Sequence, residues 1–449
     1  MEIITMNHRI FRHLFFLMLS LLLTACSSNS IYRNDYNICN YSVSGDCVKN
    51  ALQVHAAGED VEYHLSFVEY DDQGQLRDPE QVKEVLEEYQ RLAVSDDVLL
   101  ITFVHGWHHS AKPEDGNIAS FRKMLREVSR MEGVGSKQQK RAKRKVIGLY
   151  VGWRGDSIDV PYINDVTFWD RKNTAHDVGQ QGVTGVLLKL EEIVNVKRAM
   201  EQGIPAPRTS RLVVIGHSFG GAVVYSSLQK IIADRFVDSR EGKAYQGDAK
   251  GFGDLVILMN PAFEAMRFGA LYDLSQEGCR GYFNTQLPKL AILTSEADYA
   301  TKLAFPAGRF FSTFFESHVT LDRHFCSQPG KNGIQAMQID EGAADRNTVG
   351  HFIPYITHRL NPLAEEEQRK NDFEIKQLQT SWAEHTNDVA LNFVGSQLLS
   401  LKRSNPLNPY LNIQVDKELI KDHNDIWGLR IVKFISDLIA VSTTPIDRE

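Results

Sequence analysis

The sequence predicts an α/β fold, with a mostly parallel central sheet flanked by helices and an insertion before the last strand, and three observations carry that expectation. Short apolar runs alternate with stretches of helical period, the mark of βαβ units. Residues 98–104 (VLLITFV) are apolar without a break, as in a strand covered on both faces of a parallel sheet. The last patterned segment puts Ile431, Phe434, Ile435, Leu438 and Ile439 on one helical face, which needs a sheet to cover it.

In chain order, residues 61–70 (VEYHLSFVEY) alternate as a strand does, and 79–93 carry Val82, Val85, Leu86 and Tyr89 at helical spacing. The pattern continues as strand 98–104, helix 118–131, strand 146–151, helix 183–200, strand 212–215 and helix 222–236. Further strands read at 255–259, 290–293 and 411–415. Parallel neighbours need crossovers, so helices are expected on both faces. The rhythm lapses over residues 300–408, an insertion holding Phe305, Phe310, Phe311, Phe314, Phe315 and a charged helix-like stretch at 363–382. Placed there, it would lie over the strand carboxyl ends where such proteins bind ligands, as a cap, or else serve as an oligomer contact or surface decoration.

Of 449 residues, 43% are hydrophobic and 24% charged, which suits a folded globular chain. A net charge of −7 offers no global basic field for nucleic acid. The one basic run, residues 137–145 (KQQKRAKRK), reads as a solvated loop.

Arg9 and Arg12 precede an apolar run at 14–23 that is short for a membrane span, so residues 1–25 are expected to be a signal peptide. Its end, Leu23-Thr24-Ala25-Cys26-Ser27, resembles a bacterial lipobox. That resemblance implies lipidation of Cys26, a membrane anchor and a place in the cell envelope, with Ser27 pointing to the outer membrane, facing the periplasm. Each buried CH₂ of an acyl chain adds roughly 0.8 kcal/mol, so several chains hold a protein on the membrane. Residues 26–58 read as a tether or as an extension stapled by a disulfide. In an oxidising compartment Cys39 with Cys47 and Cys279 with Cys326 are the obvious pairs, although four cysteines allow three connectivities. No CxxC or HExxH spacing suggests a metal site.

The chemistry is concentrated in Gly216-His217-Ser218-Phe219-Gly220-Gly221. GxSxG alone is a weak signal, but here a strand precedes it and a helix follows. On such an elbow Ser218 is exposed on strained backbone angles, Gly216 and Gly220 permit the turn, and Gly221 lets the helix approach the sheet. A serine hydroxyl needs a base, usually His, and the base needs an acid to fix its tautomer.

The strand followed by His105-Gly106-Trp107, then GHSFGG, then a His before the last helix, resembles the α/β-hydrolase superfamily at its lipase and esterase end, over residues 59–449. The resemblance implies the α/β-hydrolase fold, the order nucleophile, acid, base, and no cofactor. It assigns the base to His423, with His351 and His358 of GHFIPYITH as alternatives, and the acid to Asp298, with Glu296 as alternative. The Trp107 and Phe219 amides would hold the oxyanion. Asn260-Pro261-Ala262-Phe263 and Trp153-Arg154-Gly155-Asp156 would line the site, and His105 would be a buried structural residue. The expected activity is hydrolysis of an ester-like, lipid-like acyl substrate through an acyl-enzyme; the rival reading is a catalytically silent envelope lipoprotein that uses the fold for binding or scaffolding.

Overall fold

Apolar strands joined by helices or long loops have the crossovers that parallel neighbours need, and parallel pairing organises the molecule. The computed structural model describes residues 31–153, 172–200, 209–241, 244–245, 247–313, 316–363 and 375–444. Its strands are β1 (Asp35–Asn40), β2 (Asn50–His55), β3 (Tyr63–Glu69), β4 (Val98–Val104), β5 (Lys145–Gly152), β6 (Arg211–His217), β7 (Arg240–Glu241), β8 (Ala244–Tyr245), β9 (Leu255–Met259) and β10 (Leu290–Ser295). After them come β11 (Thr320–Cys326), β12 (Ile334–Asp340), β13 (His358–Pro362), β14 (Leu391–Phe393), β15 (Ser396–Ser400) and β16 (Tyr410–Val415).

Twelve strands form one sheet in the order β1-β2-β3-β5-β4-β6-β9-β10-β16-β13-β15-β14. From β3 to β13 neighbours run parallel, while β2 against β3 and β13, β15 and β14 among themselves are antiparallel. From β4 the chain turns back to β5, whereas from β6 it moves on through β9, β10 and β16. The connections leaving β4 and β6 therefore diverge at their carboxyl ends, the kind of switch point at which open α/β sheets bind ligands.

The alternation of side chains along β4 sends Leu100 and Val104 to one face and Leu99, Ile101 and Phe103 to the other. On the first face they meet α1 (Pro79–Ser95) through Val85 and Tyr89, and α3 (Thr184–Met200) through Leu187 and Leu190. Also there are α4 (Phe219–Asp238) and α5 (Ala265–Gln276). On the second face lie Phe121 and Leu125 of α2 (Gly116–Gln138), together with Phe434 and Ile435 of the final helix, Leu429–Thr443. The chain is thus α/β, with a mostly parallel central sheet between two helical layers.

Two expectations change and one is narrowed. Of the two readings of residues 26–58, the described part follows the second: β1 and β2 form the sheet edge as an extension stapled by Cys39–Cys47. Part of 300–408 extends the sheet through β13, β15 and β14, and β11–β12 is a separate hairpin tied to the end of α5 by Cys279–Cys326. Its Phe305 is core rather than site lining, while Phe314 and Phe315 lie outside the described residues. The basic run is not simply solvated either. Arg141 and Arg144 converge on buried Glu132, which lies within reach at the end of α2, with Arg144 Nη2 at 2.6 Å. Burial would raise that carboxyl, but the two guanidiniums override it and hold it at about 2.

One buried acid has no such partner. Asp437, on the final helix, is 1% exposed and accepts only the Val394 amide at 3.2 Å among its described hydrogen bonds, so burial pushes its carboxyl up to about 7. The folded state then keeps a proton that the unfolded chain releases, and stability falls as pH climbs from about 4 through about 7. Replacement Asp437→Asn is expected to flatten this dependence and to stabilise the protein at pH 8 by up to roughly 4 kcal/mol. Denaturant melts of both proteins at pH 5 and pH 8 measure it; parallel pH dependences would refute the assignment.

Candidate active site

Parallel strands deliver their carboxyl ends to one edge, and the register aligns them: Val104 with Gly216, His217 with Met259, and Ser295 with Val415. The residues just past those ends are Gly106, Ser218, Asn260, Asp298 and, at the end of the loop after β16, His423. Five separate connections thereby meet in one place.

Ser218 stands between β6 and α4 with φ 56° and ψ −123°, a conformation that costs a non-glycine residue roughly 1–3 kcal/mol. It is held there on three sides. Its amide donates to Met259 O (3.0 Å), and its carbonyl accepts from Ala222 (3.2 Å) and Ala262 (3.0 Å). Gly220 makes the turn possible, because a Cβ there would sit 2.2 Å from Val104 O. The positive end of α4 thus begins beside the serine.

His423 Nε2 lies 2.7 Å from Ser218 Oγ and His423 Nδ1 lies 2.9 Å from Asp298 Oδ2. An ionised carboxylate only accepts, so Nδ1 carries the imidazole proton and Nε2 presents its lone pair to the serine hydroxyl. Burial alone would raise the Asp298 carboxyl, but hydrogen bonds from His423 and Thr301 and the His423 charge outweigh it and hold it below the usual range. Asp298 is fully buried, Ser218 nearly so, and the His423 side chain is 19% exposed. The charge is thus shielded from water while the His423 ring remains accessible.

The loop bearing His423 is pinned by its backbone. His217 Nε2 and Asn260 Nδ2 both donate to the His423 carbonyl at 2.9 Å. Asn260 Oδ1 in turn accepts the Ser295 amide (2.9 Å), and Ser295 Oγ donates to Ile420 O (2.6 Å). Burial drives His217 down to about 3, so it stays neutral. The sequence marks His217 only by its position before Ser218, where the apolar run of β6 stops.

The loop after β4 packs directly on Ser218: a Cβ on Gly106 would lie 2.8 Å from Ser218 Cβ and 3.1 Å from His217 O. The Trp107 and Phe219 rings lie 6.0 Å apart, so the two residues expected to supply amides stand next to one another, Phe219 directly after Ser218. His105 beneath them donates from Nδ1 to Gly106 O (2.8 Å) and accepts the Trp153 amide at Nε2 (3.0 Å). Burial pushes it to about 4, and its neutral ring stacks on Trp153. Trp153 therefore supports the loop rather than lining the site, and 154–156 lie outside the described residues, as does Cys26.

The alternative residues are elsewhere. His358, at the start of β13, binds the adjacent Thr357 Oγ1 (2.8 Å), Glu296 pairs with Arg359 (2.9 Å), and His351 contacts Thr301 rather than Ser218. His105, His108 and His109 do not converge as ligands, since both His105 nitrogens are engaged and His109 pairs with Asp115 (3.1 Å). Among the described residues Glu316, His318 and Asp345 come close enough to share a cation, but Asp345 already pairs with Arg309 at 2.6 Å. No protein-family model, curated protein or solved structure gives a significant match to this chain.

The close contact at Gly106 has a measurable consequence. Gly106→Ala should displace the loop or Ser218 by several tenths of an ångström and lower the rate of Ser218 labelling by a fluorophosphonate at least tenfold, at a stability cost of about 1–3 kcal/mol. An unchanged labelling rate would show that the loop and Ser218 are not in contact.

Proposed function

We propose that the chain is a serine hydrolase of the α/β-hydrolase type that cleaves an ester-like acyl bond. The observation that carries this reading is the continuous path from Ser218 Oγ through both His423 nitrogens to Asp298 Oδ2, with links of 2.7 and 2.9 Å, at the carboxyl edge of a parallel sheet. In it, His423 Nε2 takes the hydroxyl proton as Ser218 Oγ bonds to the substrate carbonyl carbon. The oxyanion so formed is met by the Trp107 and Phe219 amides. His423 then gives its proton to the leaving alcohol as the ester bond breaks, and water, deprotonated by His423, releases the acid and restores Ser218. Asp298 stays ionised throughout and steadies the imidazolium.

An apolar acyl group suits the surroundings of the acid. Tyr299 and Leu303, in the turn after Asp298, and Ile353, two residues past His351, are each more than half exposed. A lipid-anchored envelope protein, tethered through Cys26, fits the lipobox resemblance; no described helix is long and apolar enough to cross a membrane.

Fluorophosphonate labelling is expected of the native protein and should disappear in Ser218→Ala and His423→Ala, with ester hydrolysis falling roughly 10³-fold or more. Labelling that persists in Ser218→Ala, or is absent from the native protein, would favour a silent scaffold. Across p-nitrophenyl esters, kcat/KM should rise from acetate to medium-chain acyl groups. A strong preference for acetate would exclude the apolar substrate.

A further inference from the structure

The stretch GHFIPYITH, which supplies neither base nor acid, reaches the site from behind. Thr301 Oγ1 is hydrogen-bonded to Asp298 Oδ2, and His351 Nε2 lies 3.0 Å from the same Thr301 oxygen. The direction of this chain follows from proton counting. A carboxylate accepts only, so the single Thr301 hydroxyl proton points at Asp298. The Thr301 oxygen must then accept from His351, whose proton is on Nε2. The result is a run of donors, His351 to Thr301 to Asp298, ending on the carboxylate oxygen that also receives His423 Nδ1–H.

The surrounding backbone fixes this arrangement. Thr301 is buried at 1% exposure, its amide donates to Asp298 Oδ1 (3.1 Å), and its carbonyl accepts from Thr348 Oγ1 (3.3 Å). Thr348 O in turn accepts the His351 amide (3.0 Å), so the turn at 348–351 is docked twice on the turn carrying Thr301. Asp298, Lys302 and His423 are the charged or titratable groups acting on the His351 ring. Burial outweighs the pull of Asp298 and pushes the ring down to about 4, which keeps it neutral at ordinary pH.

We propose that Thr301 and His351 are positioning residues of the Ser218 site, which aim the Asp298 carboxylate at His423 and share its negative charge. The proposal rests on the hydrolase reading for its kinetic consequences, though not for its geometry. A carboxylate stripped of the Thr301 hydroxyl would be more basic and freer to rotate, so it would hold the His423 imidazolium more tightly and less accurately.

The test compares Thr301→Val, which keeps the shape, with Thr301→Ser, which keeps the hydroxyl, and His351→Ala with His351→Gln, which keeps a side-chain donor. In Thr301→Val and His351→Ala, kcat should fall roughly 10- to 100-fold with little change in KM, as when the outer partner of a functional group is lost. The acid limb of kcat/KM should move to higher pH, and Thr301→Ser and His351→Gln should recover most of both effects. In parallel, the far-downfield NMR resonance of the His423 Nδ1 proton should move in Thr301→Val and His351→Ala and return in the conservative variants; this readout needs no turnover. Folded Thr301→Val and His351→Ala variants with native kcat, native acid limb and an unmoved resonance would overturn the proposal. If the native protein fails to label at Ser218 while the resonance still shifts, the hydrolase reading fails and the positioning role stands.

Discussion

A carboxylate with no exposure to water must be compensated by donors or give up its charge, and the compensation of Asp298 is the constraint on which the site depends. Its partners come from two connections. Thr301 supplies an amide and a hydroxyl from the turn after β10, and His423 supplies Nδ1–H from the loop after β16. Those connections can meet only because β10 and β16 are parallel neighbours in register from Leu290 with Tyr410 to Ser295 with Val415. Sheet topology and protonation state are thus one problem: the ionised acid fixes the imidazole tautomer, and the tautomer leaves a lone pair for Ser218.

The strained serine shows the same dependence on its surroundings. A φ of 56° persists because the Ser218 amide and carbonyl are committed to Met259, Ala222 and Ala262. Around it the loop after β4 passes so close that side chains at Gly106 and Gly220 would collide with Ser218 Cβ and Val104 O. These contacts join three strands at the point where the connections from β4 and β6 diverge, so a strained residue is also a thoroughly braced one.

Much of the sheet is legible in the sequence, for a physical reason. β4, β6, β9 and β10 are covered on both faces, and double coverage demands uninterrupted apolar residues that composition cannot disguise. The rim strands obey no such demand. β1 is half exposed, β14 has three residues with Asn392 outward, and β13 reads HRLNP, so nothing in their pattern separates them from loops. In the site, the elbow is visible because its glycines and flanking elements are contiguous in sequence. The separation of Asp298 from Glu296 is not, because it depends on Arg359 of β13 drawing Glu296 away. The same holds for the three downstream histidines and for Thr301, whose role depends on a turn fifty residues further along.

The way the chain enters the fold bears on which way the molecule faces. The amides of Tyr32 and Arg33 bind Glu69 at the carboxyl end of β3, and buried Arg33 also reaches Ala111 O in the segment that follows the Trp107 loop. Residue 31 therefore emerges on the rim that carries Ser218, not on the opposite rim. Five fully extended residues span at most about 17 Å. A lipid on Cys26 would consequently act as a short mooring line on this rim, turning the edge that carries Ser218 toward the bilayer.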